Sequence, residues 1–435
     1  MAKLVDWKGN HRKKPIIING ARQVGKTWLL KEFGARYFEN VAYVNFDNNT
    51  AMGLLFEEGY DIPRLFTGIQ AETGERVVEG KTLIIFDEIQ ECPKALTSLK
   101  YFSENAPGQM IAAAGSLLGL TVHQGTGYPV GKVMTLDLHP LNFREFLDAT
   151  KNQSLRELID ANDHSAISAF SSKLIPLLRQ YYFTGGMPEA VATFAESGVL
   201  KDARDIQLQI LFDCRRDISK HLSIAETEHV LAVWDSIPAH LGQENRKFVF
   251  GHIKEGARAR DYRAAITWLT EAGLTTCVRR VSKPGVPLAS YANESSFKLF
   301  ALDVGLLGAM AGLDPGSVIS GNKAFTEFKG ALTEQFVCQQ LVSDCELQPF
   351  YWSAENSRGE IDFLVQAEGR IYPIEVKAEE NLRSKSLRAF SEKYESMNPR
   401  RFSLSGYRDE GWMRNVPLYA IGNMRGWRFH HGLSA

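Results

Sequence analysis

Paired cysteines, long apolar runs, internal repeats and a surplus of one charge are all missing from this sequence, and each absence narrows what it does. Five cysteines (Cys92, Cys214, Cys277, Cys338 and Cys345) are scattered without a CxxC spacing. An odd set so spaced argues against a disulfide scaffold or a zinc knuckle and reads as reduced thiols. No run approaches the roughly 20 apolar residues that cross a bilayer, so a membrane is not among the expected partners. Residues 1–15 carry no apolar stretch behind their positive charges, so no secretory signal is expected and the cytoplasm is the expected location. The formal net charge is −1. Any nucleic-acid contact therefore needs a local basic patch rather than a global field.

Core-forming material, by contrast, is ample: 44% of the 435 residues are hydrophobic. That is more than one core's worth, and roughly two to four domains are expected. Apolar runs at Ile16–Asn19, 41–46, Leu83–Phe86 and Met110–Ala114 alternate with helical stretches. This alternation predicts an α/β fold with a parallel sheet covered on both faces. From about 155 to 240 the pattern turns helical. A helical stretch then ends near Gly273, a strand follows over 274–281, and Lys283-Pro284-Gly285 makes a turn. Helix, strand, turn, strand is the order of a winged helix. Further strands are predicted at 361–366 and 371–376.

Three of these runs end in residues that carry chemistry. Gly20-Ala21-Arg22-Gln23-Val24-Gly25-Lys26-Thr27 fits the P-loop pattern G-x-x-x-x-G-K-[ST] between a strand and a helix, with Trp28 next in line. Glycines let backbone N–H groups wrap phosphates, and the helix N-terminus adds partial positive charge. Lys26 is the expected cation for the β- and γ-phosphates of ATP, and Thr27 the expected Mg²⁺ hydroxyl. Asp87, at the end of the third run, is the expected second Mg²⁺ group. Glu88 is the expected polariser of the attacking water. Ser116, after the fourth run, is either a γ-phosphate sensor or a turn serine. Arg144, Arg215 and Arg216 are the candidates for an arginine finger, against the plainer reading as salt-bridge arginines.

These residues resemble a known family. The P-loop and Phe86-Asp-Glu-Ile-Gln90 are similar to those of bacterial and archaeal AAA-type ATPases with a C-terminal domain of unknown function. So are Pro129-Val-Gly-Lys132, Leu138-His-Pro-Leu-Asn-Phe-Arg-Glu-Phe146, Gly185-Gly-Met-Pro-Glu189 and Lys298-Leu-Phe-Ala-Leu-Asp-Val-Gly-Leu306. The resemblance implies a P-loop NTPase parallel sheet with a helical lid, a winged-helix-like middle domain and a C-terminal α/β restriction-endonuclease-like domain. The expected parts are an ATPase core over 1–150, a helical region over 151–220, a winged-helix-like domain over 221–295 and a PD-(D/E)xK nuclease-like domain over 296–435.

The C-terminal residues support that last expectation in their own way. Asp362 lies in one predicted strand, and Glu375 and Lys377 lie two apart in the next, so those two share a face. A turn at Glu368-Gly369-Arg370 would pair the strands. Glu334, in a helical stretch over 330–341, is a candidate third acid. With a divalent metal and a lysine, such a set suits water attack on a phosphodiester, and it resembles the nuclease motif. The plain alternative is a half-exposed hairpin with alternating charges. Two basic groups are the candidate phosphate contacts. One is Lys254, Arg258, Arg260, Arg263, Arg279, Arg280 and Lys283; the other is Lys377, Arg383, Lys385, Arg388, Lys393, Arg400 and Arg401.

Three functions follow. The first is an ATP- and Mg²⁺-dependent ATPase coupled to a nuclease-like domain that binds or cleaves DNA or RNA. The second is an ATP-gated interaction switch whose nuclease fold is a docking surface for a protein partner. The third is a small-molecule kinase, disfavoured by the Asp-Glu pair, which suits water as acceptor. A homo-oligomer is compatible with the first two.

Overall fold

The computed structural model describes residues 1–10, 14–116, 128–316, 323–354, 359–378, 384–394 and 397–428. They divide into two compact units. The first comprises residues 1–139 with 271–273, and the second comprises 140–270 with 274–435.

The first unit is built on a sheet of five strands, all parallel, in the order β2-β3-β4-β1-β5. They are β1 (Ile16–Asn19), β2 (Asn40–Asn45), β3 (Thr82–Asp87), β4 (Met110–Ala114) and β5 (Met134–Asp137). Every residue of β3 and β4 is buried. Their side chains alternate between two cores: Ile84 and Phe86 join one cluster, and Leu83 and Ile85 the other. An apolar run with both faces covered is what a parallel sheet demands, since its crossover helices occupy both sides. The sheet therefore delivers the three predicted loops, after β1, β3 and β4, at the C-terminal ends of neighbouring strands, where open α/β sheets bind ligands.

The second unit opens with helices, the longest at Leu200–His221 and Ile224–Leu241. It continues into a mixed eight-stranded sheet in the order β12-β13-β11-β10-β9-β8-β6-β7. Here β6 is Thr275–Val281, β7 Ala292–Ala301, β8 Phe350–Ser353, β9 Glu360–Ala367 and β10 Arg370–Val376. The remaining strands are β11 (Arg400–Ser403), β12 (Arg408–Asp409) and β13 (Arg414–Pro417). The helix Ala259–Glu271 and the β6–β7 antiparallel hairpin appear in the order read from the sequence. The hairpin is not a free-standing wing, however. The other edge of β6 pairs with β8 in parallel, Arg279 against Phe350 and Arg280 against Tyr351. Its backbone groups are thereby satisfied within the larger sheet. The expected boundary between 295 and 296 falls inside β7.

The β9–β10 hairpin turns through Glu368 (φ 50°) and Gly369 (φ 70°), with Ala367 paired to Arg370. Two consecutive left-handed residues are the signature of a type I′ turn, whose twist suits a two-residue hairpin.

Candidate functional site

The phosphate loop follows β1 directly and ends where the helix Lys26–Tyr37 begins. Gln23 (φ 63°) and Gly25 (φ 91°) are left-handed, the alternation that turns successive N–H groups toward one side. Gly20 is sterically required: a Cβ there would lie 2.4 Å from the carbonyl oxygen of Leu138. Ala21 and Val24 are buried and anchor the loop in the core. Arg22 is half-buried, and Trp28 is 66% exposed on the first helical turn. The Lys26 ammonium donates to the carbonyls of Gly20 (3.0 Å) and Ala21 (2.7 Å), so it is folded over its own loop.

The acidic strand end meets this loop. Asp87, 3% exposed, accepts from the Thr27 hydroxyl at 2.8 Å through Oδ2. The same oxygen accepts from the Tyr43 hydroxyl at 2.8 Å, and Oδ1 accepts from the Glu88 backbone N–H at 3.1 Å. Burial, and then the bond to Asp87, push the Tyr43 phenol above its usual pKa. Glu88 has a left-handed backbone (φ 49°), rare for a residue with a side chain. Its carboxylate accepts from Gln90 Nε2 at 2.6 Å. Ser116 is buried, two residues beyond β4. Tyr43 and Gln90 were not singled out by the sequence. Tyr43 sits in a strand run that reads as core, and only the β2–β3 register, with Asn45 beside Asp87, brings it near the acid.

The arginine-finger candidates lie in the second unit and are engaged there. Arg144 is buried, hydrogen-bonded to Asp160 and to Asn423 Oδ1 (2.6 Å) and ion-paired with Asp344 (3.4 Å). Arg215 pairs with Asp235, and the Arg216 guanidinium lies 5.7 Å from the Phe212 ring centre.

Glu334, Asp362, Glu375 and Lys377 line a single cavity of about 880 Å³ in the second unit. Extending the β9–β10 register one step past Ile374 and Phe363 sets Glu375 across from Asp362, on one face of the sheet. Asp362 Oδ2 accepts from the Val376 N–H at 2.7 Å. Glu375 Oε1 meets Lys377 Nζ at 2.8 Å, whereas its Oε2 is buried without a hydrogen-bond partner. Glu334 comes from the helix Lys323–Ser343, and burial, reinforced by Asp362, pushes its carboxyl up to about 7.

Cations that the sequence reading missed already occupy this cluster. Arg246 Nη1 is 2.6 Å from Glu334 Oε1. Lys298, fully buried, is 2.5 Å from Glu360 and 3.7 Å from Glu334. Burial opposes the charge on Lys298, but Glu334, Glu360 and Asp362 outweigh it and lift its pKa above the usual lysine value. Among the described residues, no group of three or more His, Cys, Asp or Glu stands in a metal-holding arrangement.

The basic groups divide. Lys254, Arg258, Arg260 and Arg263 are exposed. Arg279 pairs with Glu294 at 2.9 Å, and Arg280 donates to the Ser353 carbonyl at 2.7 Å. Lys283 sits 4.7 Å from the Tyr291 ring centre. Lys385, Arg388 and Lys393 are exposed on the helix Lys385–Lys393, and Lys377 is half-buried. Arg400 and Arg401 leave the expected phosphate path, because β11 buries both. Arg401 is fully enclosed between Asn415 (2.8 Å) and Glu410 (2.9 Å). Arg383 lies outside the described residues.

Comparison with known proteins follows the division of the chain. Residues 12–147 match a family model described as an AAA domain. Residues 175–317 and 329–417 match two described as domains of unknown function, DUF8612 and DUF4143. No curated protein is a match. Among solved structures, the chain is similar to a Walker-type ATPase of Pyrococcus abyssi, at 14% identity over 71% of this chain and 94% of that one, with a TM-score of 0.43. It is also similar to the Orc1 protein of Aeropyrum pernix in complex with DNA (14% identity, 72% and 91% covered, TM-score 0.27). A third is Cdc6p of Pyrobaculum aerophilum (12% identity, 74% and 92% covered, TM-score 0.25). Structural scores this low carry no argument about function. The phosphate loop and the five-stranded parallel sheet lie within the residues that match the AAA-domain model. No helix among the described residues is long and apolar enough to cross a membrane.

Proposed function

We propose that this chain hydrolyses ATP at Gly20–Thr27 and couples the cycle to a nuclease-like C-terminal domain that acts on nucleic acid. The observation that carries the ATPase reading is the Thr27–Asp87 hydrogen bond, 2.8 Å long, which joins the phosphate loop to the acidic strand end. A hydroxyl and a carboxylate are hard oxygen donors that suit Mg²⁺, and both stand beside the loop. Thr27 and Asp87 are the residues that would hold the ion, which when bound supplies positive charge to the phosphate oxygens. Lys26 turns from the carbonyls of Gly20 and Ala21 to the β- and γ-phosphates. Ala21 to Gly25 present backbone N–H groups, and Trp28 flanks the nucleotide. Glu88 leaves Gln90 and accepts a hydrogen bond from the attacking water, polarising it. Ser116 senses the γ-phosphate from the end of β4.

In the C-terminal part, Glu334, Asp362 and Glu375 are the proposed acids of the nuclease-like pocket, with Lys377 beside them; as placed, the three do not form a metal-holding group, so a divalent ion would have to draw them together and displace Arg246. Their shared cavity and the partnerless Glu375 oxygen support this reading. The helix Ala259–Glu271 and the β6–β7 hairpin make up the proposed winged-helix-like element, with Arg258, Arg260 and Arg263 as phosphate contacts. The divisions at 150 and 220 belong to the same proposal, while that at 295 gives way, since it would cut β7.

A second reading, an ATP-gated switch that docks a protein partner through an inactive nuclease fold, is favoured by one observation. Arg246 and Lys298 already neutralise Glu334 and Glu360 without a metal. The deciding experiment is an ATPase and cleavage assay with and without DNA or RNA, on the unaltered chain, Lys26→Ala and Asp362→Ala. ATP turnover that survives Lys26→Ala defeats the ATPase assignment. Absence of metal-dependent cleavage favours the docking role.

A further inference from the structure

A cavity of about 140 Å³ opens between the helix Ala259–Glu271 and the β6–β7 hairpin, and it shares no lining residue with the carboxylate pocket. An irregularity in the hairpin makes the room. Arg279 of β6 pairs with Phe297, but the next residue, Arg280, pairs with Asn293, so residues 294–296 are extra on β7. A bulge of this kind bends its strand and re-aims side chains, which is why bulges recur beside binding sites. Its shape is fixed from within. Asn293 Oδ1 accepts from the Ser295 N–H at 2.8 Å and from the Ser295 hydroxyl at 2.7 Å.

The inner wall of the cavity is apolar. Phe250 and Phe297 meet edge to face, with ring centroids 6.3 Å apart and planes 73° from parallel, and Ile266 closes the helix side. Both Phe297 and Ile266 are buried. The Cys277 thiol completes this wall, and burial pushes its pKa up to about 11, so it stays neutral at pH 7. The mouth is polar. Of the charged residues that line it, Arg279 and Glu294 neutralise each other at 2.9 Å, and the third is Arg263, exposed on the helix one turn before Thr267. The lining as a whole is therefore cationic. An apolar cavity of roughly 150 Å³ accepts a benzene-sized body. Such a body would lie here against two phenyl rings, with a guanidinium at the opening, and a carboxylate is the head group that matches a guanidinium.

We propose that this cavity binds a small aromatic carboxylic acid as its anion, with the ring against Phe250, Phe297 and Ile266 and the carboxylate on Arg263. The site shares no residue with the phosphate loop or with the carboxylate pocket.

Calorimetric titration of the full chain with benzoate tests it, with benzamide and acetate as the controls that lack the charge and the ring. Benzoate is expected to saturate between micromolar and millimolar concentration, benzamide to bind about tenfold more weakly, and acetate not to saturate. Arg263→Gln is expected to weaken benzoate about tenfold and leave benzamide unchanged. Thr267→Trp places an indole at the mouth and is expected to weaken both. Arg263 and Thr267 are exposed, and an unchanged melting temperature shows that the fold is kept. Cys277 locates the ligand. It is half-buried, whereas Cys92, Cys214, Cys338 and Cys345 are buried, so a thiol reagent followed by mass spectrometry modifies it first. Saturating benzoate is expected to slow that modification several-fold. Absence of saturation by benzoate overturns the proposal. So does benzamide binding as tightly as benzoate, benzoate binding indifferent to both substitutions, or Cys277 modified at the same rate with and without benzoate.

Discussion

Tyr43 donates its hydroxyl proton to Asp87 Oδ2, the same oxygen that accepts from Thr27. One buried carboxylate oxygen thus joins three elements: the phosphate loop, β2 and β3. If Thr27 turns to a metal ion during the cycle, Tyr43 remains as the side-chain bond that fixes the carboxylate, beside the Glu88 N–H on Oδ1. Hydrogen bonds to charged groups contribute about 1.5–3 kcal/mol. Tyr43→Phe is therefore expected to lower kcat by roughly tenfold or more, with the KM for ATP little changed. A magnesium titration of steady-state turnover is the measurement. A wild-type rate at every magnesium concentration would show that Tyr43 only fills space.

Lys26 and Glu88 separate binding from chemistry. Lys26→Ala removes the loop ammonium assigned to the β- and γ-phosphates, so ATP binding is expected to fall below detection in a fluorescent-nucleotide assay. Glu88→Gln keeps the shape and can still bond to Gln90, but an amide polarises water far less than a carboxylate does. Binding is expected to persist while turnover drops at least a hundredfold, about 2.7 kcal/mol of barrier. Normal turnover by Glu88→Gln would remove Glu88 from the mechanism.

Gly20→Ala tests the loop's geometry without touching a charge. The added Cβ meets a backbone carbonyl, that of Leu138, at 2.4 Å, and no rotamer can move it away. Overpacking of this kind costs about 1–3 kcal/mol. A melting temperature several degrees lower, together with weakened ATP binding, is expected. An unaltered melting temperature would mean that the segment after β5 yields freely.

The parts read best from the sequence are those fixed by local rules. The strand β4 spans the predicted residues, and the turn read at Glu368-Gly369-Arg370 contains the observed left-handed pair Glu368-Gly369. The phosphate loop needs only its spacing and its flanking strand and helix. What stayed hidden depends on pairings distant in sequence. The β6–β8 ladder is one, because nothing local tells a wing from an inner strand. Lys298 and Arg246 are others, since a lone lysine in an apolar run gives no sign of the acids it meets after folding. Arg401 misled for the same reason. Next to Arg400 it reads as a basic patch, yet Glu410 and Asn415 enclose it.

That sorting sharpens the nucleic-acid prediction. Only exposed cations shed counterions when they meet phosphate. Arg258, Arg260 and Arg263 are exposed, whereas Arg280 is half-buried on the Ser353 carbonyl and Arg401 is fully enclosed. Charge reversal of the three together is expected to weaken DNA or RNA binding at least tenfold and to flatten its dependence on salt by about 0.9 for each lost phosphate contact on a duplex. Filter binding across a salt series reads both numbers. An unchanged slope would move the contact surface away from the helix Ala259–Glu271.

The carboxylate cavity decides between cleavage and docking, and its own cations provide the means. Glu375 has one buried oxygen without a partner, and Glu334 and Glu360 are held by Arg246 and Lys298. A divalent ion entering here would compete with Arg246, which shares the cavity lining with Glu334. Removing a competing cation should tighten metal binding, whereas removing a ligand should weaken it. Arg246→Ala is thus expected to raise Mn²⁺ affinity about tenfold, and Glu375→Ala and Asp362→Ala to lower it by at least as much, in a calorimetric titration. Lys298 is a poor test residue, since deleting a fully buried partner of two acids leaves uncompensated charge worth about 3–5 kcal/mol of stability. If the cavity cleaves phosphodiesters, Mn²⁺-dependent nicking of DNA or RNA should disappear in Asp362→Ala and in Lys377→Ala. Metal binding that ignores all three acid and arginine substitutions would place the ion elsewhere. Metal binding that follows them, without any nicking, would leave Arg246 and Lys298 as the permanent counterions of a docking surface.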